Sequence, residues 1–187
     1  GRPKPGRLRL VGVMTSMLLV VALAVFWLPG ALQDHTLRVV PVVKRVSIGA
    51  ALLRQIERVS GLTCTNPRGT VALAKLGTRL SSLHLPGGII VLNKTLFEDY
   101  ESPDVAGGYI LSELVQRTNS DPLREMLAVI SLRENFRLIT TGEVSDEALE
   151  SYAEHIMSLG NQRAALAPLI ARFAAENLHS TPYAQAL

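Results

Sequence analysis

Residues 10–28 read LVGVMTSMLLVVALAVFWL, and no charged side chain interrupts them. A helix needs about 20 apolar residues to cross the ~30 Å hydrocarbon core of a bilayer, so this run has the length of a transmembrane anchor. Trp27 suits the headgroup interface, and Pro29-Gly30 predicts that the helix stops there. Arg2, Lys4, Arg7 and Arg9 precede the run, and no acidic residue occurs before Asp34. That asymmetry predicts a basic cytoplasmic tail over residues 1–9 and places everything after Gly30 across the membrane. A cleaved signal peptide would have a shorter apolar region and small residues at its cleavage site, and Pro29-Gly30-Ala31 makes a poor one. A helix packed on the core of so small a domain would keep a polar face toward water, and this segment has none.

The chain has 187 residues, which suits one domain and an anchor rather than two ordinary domains. Hydrophobic residues make up 48% of it and the mean hydropathy is +0.24, the balance that first directs attention to a membrane segment. The formal net charge is only +3 and much of the basic excess sits before the anchor. No Lys/Arg stripe with interleaved aromatics follows, so nucleic acid is not an expected partner. Cys64 is the sole cysteine, which excludes an intrachain disulfide, a CxxC redox site and a Cys-rich zinc knuckle.

Beyond the anchor, residues 29–46 read as a linker or edge strand. Their β-branched stretch around Leu37-Arg-Val-Val-Pro-Val-Val43 carries Pro41, which only an edge strand or a linker accepts. Residues 47–187 form the soluble domain. Ile48, Ala51, Leu52, Ile56 and Val59 follow helical spacing over residues 47–59, with Ser47 as cap and Gly61 as stop. Asn66-Pro67-Arg68-Gly69 reads as a turn, and residues 71–76 suit either a strand or a helix. Leu83-His-Leu-Pro-Gly-Gly-Ile-Ile-Val-Leu92 is a Pro-Gly-Gly turn opening into an apolar strand. Ser102-Pro103-Asp104 starts a helix reaching about Arg117. Asp121-Pro122 starts another reaching about Ile139, Ser145-Asp146-Glu147 a third ending at Gly160, and residues 164–177 make a fourth. Gly107-Gly108 inside a helix costs about 1 kcal/mol each against Ala, which predicts close packing of that helix on another backbone. The fold class is therefore α+β, mainly helical with a small sheet, preceded by one transmembrane helix.

Three pieces in this order resemble the membrane-associated gluzincin zinc metallopeptidases of the HtpX and Oma type. The family pattern is a Leu-Pro-Gly-Gly strand, a helix bearing H-E-x-x-H, and a later helix bearing an E-A-D type motif. Here Leu85-Pro86-Gly87-Gly88-Ile89-Ile90-Val91 stands at the strand, and Ser112-Glu113-Leu114-Val115-Gln116 falls on H-E-x-x-H. Glu147-Ala148-Leu149 falls on E-A-D, and His179-Ser180-Thr181-Pro182 is similar to the family's closing Ser/Thr-His-Pro segment in scrambled order. The likeness covers most of residues 47–187. It implies a peptidase-like domain whose strand, Gly87, Gly88, Ile89, Ile90 and Val91, borders a cleft and can dock a peptide.

The departures bear on chemistry. Two histidines at i and i+4 grip Zn²⁺ from one helix face, and the Glu between them handles the proton of the attacking water. Ser112 and Gln116 replace both histidines, and neither a hydroxyl nor an amide is a usual zinc ligand. Glu113 remains at the general-base position, where a structural partner such as Arg117 at i+4 could hold it, and Glu147 remains at the third-ligand position. Without the histidines the resemblance implies a degenerate site: no catalytic residue, metal or cofactor is expected from Ser112, Glu113, Gln116 and Glu147. His84 and His155 are the histidines closest to where a rebuilt metal site would form, and no histidine pair has i, i+3 or i, i+4 spacing.

The functional expectation is an inactive metallopeptidase-like protein acting as an accessory or assembly subunit. Its partners would be other membrane protein subunits, met through the transmembrane helix and the soluble domain, together with the lipid bilayer. Gly12 and Thr15-Ser16 put small residues in the first half of the span, where they permit close helix packing. Two alternatives stand beside it: an active membrane-bound metallopeptidase with a rebuilt metal site, and a pseudoenzyme regulating an active protease. The expected location is the inner (plasma) membrane with a periplasmic domain, with the mitochondrial inner membrane as alternative.

Overall fold

The computed structural model describes residues 7–61, 64–65, 71–76 and 80–187. The turn expected at Asn66–Gly69 lies outside them. Helix α1, Arg7–Val39, contains the apolar run and continues well past it. At 1.5 Å per residue it is about 50 Å long, more than a bilayer core requires. Its apolar window is wholly exposed and long enough to cross a membrane.

The helix does not stop at Pro29-Gly30, as the sequence suggests; Pro29 lies inside it. A proline within a helix loses one hydrogen bond at a cost of about 3 kcal/mol. Here the turns that follow are docked on the domain, where Thr36 and Val40 are buried, and that burial offsets the loss. Residues 29–46 are consequently neither linker nor edge strand. Pro41 instead separates α1 from α2, Val42–Ser60, which starts earlier than the spacing suggested. Ser47 is not its cap but lies one turn inside, with its hydroxyl donating to the Lys44 carbonyl at 2.9 Å. Gly61 ends α2 as expected.

Four strands follow: β1, Cys64–Thr65; β2, Val71–Ala74; β3, Ser82–Leu85; and β4, Ile89–Asn93. They lie in the order β1-β2-β4-β3, with β2 parallel to β4 and the other pairs antiparallel. The ambiguous segment after residue 70 is thus a strand. The Pro86–Gly88 turn joins β3 to β4 as a hairpin. Gly87 has φ +82° and packs so closely on α2 that a Cβ would lie 2.5 Å from Val46 Cα. Gly49 of α2 faces the same turn; a Cβ there would lie 2.0 Å from the Pro86 carbonyl oxygen. The Leu-Pro-Gly-Gly sequence therefore reads as a backbone-to-backbone contact between hairpin and helix.

The helices after the sheet are α3, Thr95–Glu98; α4, Pro103–Asn119; α5, Pro122–Val129; α6, Leu132–Thr141; α7, Asp146–Ser158; α8, Leu166–Ala175; and α9, Ser180–Gln185. The single helix expected over residues 122–139 is two. Ser131 breaks it, because its hydroxyl accepts the Glu134 amide and caps α6 as a separate helix. Alternation along β4 sends Ile89 and Val91 to one face and Ile90 and Leu92 to the other, each into a different apolar cluster. Helices α2, α5, α6 and α7 cover the first face; α4, α8 and α9 cover the second. Gly107 and Gly108 pack on the side chains of Leu178 and Tyr183, rather than on the backbone the sequence suggested.

Candidate functional site

Hydrogen bonding within the hairpin decides which backbone groups face outward. The Asn93 amide donates to the Ser81 carbonyl at 2.8 Å, so that pair is a hydrogen-bonded one. Such pairs alternate along an antiparallel ladder, so Leu83 and Leu85 also bond β4 while the amides and carbonyls of Ser82 and His84 point away from it. β3 is an outer strand of the sheet. Along its outer side lies a cleft of about 220 Å³, walled by Ser82, Leu83 and His84 of β3, Glu113 and Gln116 of α4, and Tyr152 and His155 of α7. Nearby, the Asn161 side-chain oxygen accepts the Ser81 amide at 2.7 Å.

This arrangement corrects the docking strand. Gly87 and Gly88 belong to the turn, and Ile89, Ile90 and Val91 are buried in β4, which pairs with β2 on one side and β3 on the other. A central strand has no free ladder to offer; of the two outer strands, β1 and β3, the one that borders the cleft is β3.

Glu113 is buried, and the Ser82 hydroxyl donates to its Oε1 at 2.6 Å. The partner anticipated at i+4, Arg117, does not supply that bond. Burial pushes the Glu113 carboxyl above its ordinary range, against the opposing pull of the Ser82 hydrogen bond. Alternation puts His84 on the same face as Ser82, and its Nδ1 lies 3.4 Å from the Glu113 carbonyl oxygen. Its Nε2 is buried without a hydrogen-bond partner. Burial lowers the His84 pKa, which favours the neutral ring.

Ser112 and Gln116 share one helix face, as i, i+4 spacing requires. The Gln116 amide donates to the Ser112 hydroxyl at 3.4 Å and to the Gln162 carbonyl at 2.9 Å. Ser112 is buried and does not line the cleft. Glu147 is not in this site. It is exposed at the start of α7 and lines a separate groove with Lys44, Ser47 and Arg137. The α7 residues that reach the cleft are Tyr152, His155 and Ile156, one to two turns further along. Among the described residues, no group of three or more His, Cys, Asp or Glu side chains is placed to hold a metal ion.

The structure therefore unites Glu113, Gln116, His84 and His155 and leaves out Glu147 and Ser112. Ser82, Tyr152 and Asn161 were not anticipated. Ser82 could have been found, since it lies two residues before His84 and so shares its face in any strand reading. No family model, curated protein or solved structure matches the chain.

Proposed function

We propose that this is a membrane-anchored accessory subunit whose cleft beside β3 docks an extended segment of a partner membrane protein. The observation that carries this reading is the outer edge of β3: the Ser82 carbonyl and the His84 amide and carbonyl point away from β4, and both residues line a cleft that already has side-chain walls. An extended segment would add as a further strand, with main-chain hydrogen bonds supplying affinity. Leu83, Tyr152, Ile156 and Leu159 would meet its apolar side chains, and Glu113, Gln116 and Arg117 its polar groups.

A docking role suits the donor set better than peptide hydrolysis does. The resemblance places Ser112 and Gln116 where the peptidases carry their histidines, and the two side chains are engaged with each other and with neighbouring groups. Glu147, on the third-ligand position, opens into a different groove. Membrane attachment through α1 would keep the cleft near the partner, raising its effective concentration.

The test is a photo-crosslinking residue at Leu83 in the full chain, with the same group at exposed Leu166 as control. In native membranes, Leu83 should capture one membrane protein in near-stoichiometric yield and Leu166 should not. His84→Pro should abolish the capture yet still unfold cooperatively, because the His84 amide makes no bond to β4 and proline is tolerated at an outer edge. Stoichiometric zinc together with peptide cleavage lost in Glu113→Gln would overturn the proposal in favour of an active peptidase. Capture of a protease would move the reading to a regulator of that enzyme.

A further inference from the structure

Three contacts set the register between α1 and α5. Gln33 donates to the Leu127 carbonyl at 3.4 Å, Arg124 meets Asp34 at 2.6 Å, and Arg45 bridges the Leu37 carbonyl and Asp121. Ascending α1 from the apolar run therefore means descending α5 from Leu127 to Asp121. The C-terminal end of α5 points back toward the span. At 1.5 Å per residue, Gln33 stands only about 8 Å beyond Leu28, and α5 extends two further residues in that direction. The α5–α6 corner thus comes level with Pro29 and Gly30, beside the interface-suited Trp27. Helix α6 then runs away from the span: Gly142, past its end, lies against Lys44 in the first turn of α2.

The residues at this corner suit a lipid interface. Leu132 and Phe136 are 44% and 48% exposed. Arg133 and Arg137 are exposed beside them, one helical turn apart. Glu134 lies between the two arginines and accepts the Ser145 amide, Arg137 also lines the groove of Glu143, Asp146 and Glu147, and Asp34 pairs with Arg124. Apolar side chains flanked by arginine are the composition of segments that rest at the headgroup–acyl boundary.

We propose that the α5–α6 corner is a second membrane contact. Leu132 enters the boundary, Phe136 lies one turn above it, and Arg133 and Arg137 engage phospholipid phosphates. The occupant is the bilayer that α1 crosses, so the inference rests on the reading of α1 as a span. Held at two points, the domain would keep one orientation to the membrane and present the cleft at a set height.

The experiment uses the full chain with Cys64 replaced by Ser, reconstituted in phosphatidylcholine vesicles with or without phosphatidylglycerol. An environment-sensitive fluorophore is placed on a single cysteine at Val20 in mid-span, at Leu132, or at Val43, which is 78% exposed and further along the chain beyond the docked end of α1. The label at Val20 should be quenched by deep spin-labelled lipid. The label at Leu132 should be quenched by headgroup-proximal spin label, more strongly with phosphatidylglycerol, and the label at Val43 by neither. R133E/R137E should remove the phosphatidylglycerol enhancement at Leu132 and leave Val20 unchanged. If Val20 is quenched while Leu132 behaves like Val43, the second contact is wrong and the span stands. If Val20 is not quenched, both fall. Enhancement that persists in R133E/R137E would overturn the phosphate role.

Discussion

The Ser82 hydroxyl donates to Glu113 Oε1 at 2.6 Å, joining the outer strand of the sheet to the helix that faces it. Burial holds the Glu113 carboxyl above its ordinary pKa. A carboxyl raised on folding contributes stability below its unfolded pKa and loses it as pH rises through the folded value. Glu113→Gln, which has no charge to bury, should therefore gain on the native protein as pH rises. The variant-minus-native difference in Tm, measured in detergent, should be more positive at pH 8 than at pH 4. An equal difference at both would mean that Glu113 is solvated as a charge.

Gly49→Ala should be disruptive, because its Cβ would lie 2.0 Å from the Pro86 carbonyl oxygen and only backbone movement could relieve the clash. A loss of about 1–3 kcal/mol is expected from denaturant unfolding. Gly12→Ala, inside α1 with nothing within 4 Å of its Cβ, should cause no loss and serves as the control.

Arg45 ties the end of α1 to α5 through the Leu37 carbonyl and Asp121. The Asp121 carboxylate is partly exposed, so solvent screening keeps the pair modest. A double-mutant cycle of Arg45→Met and Asp121→Asn should give a coupling of about 0.5–1.5 kcal/mol. A coupling near zero would show that the Arg45–Asp121 pair adds nothing to the docking of α1.

Leu52 is fully buried between α2 and the sheet, whereas Leu166 at the start of α8 is 70% exposed. Leu52→Ala should cost about 2–5 kcal/mol by cavity formation. Leu166→Ala should stay within about 0.5 kcal/mol. Chemical unfolding of both variants in the same detergent checks the contrast.

Much of the local structure was legible in the chain. The uncharged run at residues 10–28, the Pro-Gly-Gly turn, and the helix starts at Ser102-Pro103, Asp121-Pro122 and Ser145 all depend on neighbours within a few residues. Ser145 accepts the Ala148 amide and Asp121 the Leu123 amide, as such caps should. Ser102 occupies its cap position without a side-chain bond. The Ser131-Leu-Arg-Glu134 spacing of a capping box was also present and would have divided residues 122–139 correctly.

Other features had no local signature. Pro29 breaks helices by propensity, and packing of the following turns on α5 and α6 carries α1 through it. Gly87–Val91 looks like a docking strand until β2 is paired on one side and β3 on the other, which leaves the outer edge to Ser82–Leu85. The resemblance assigns Glu113 and Glu147 to one site, yet the direction in which α7 presents its faces sends them to different grooves. The sequence by itself determined the apolar segment, the turn and most helix starts, because these follow from backbone chemistry over three to five residues. Tertiary structure alone decided which strand is outermost, where α1 ends and which side chains share the cleft, because each depends on contacts between residues tens of positions apart.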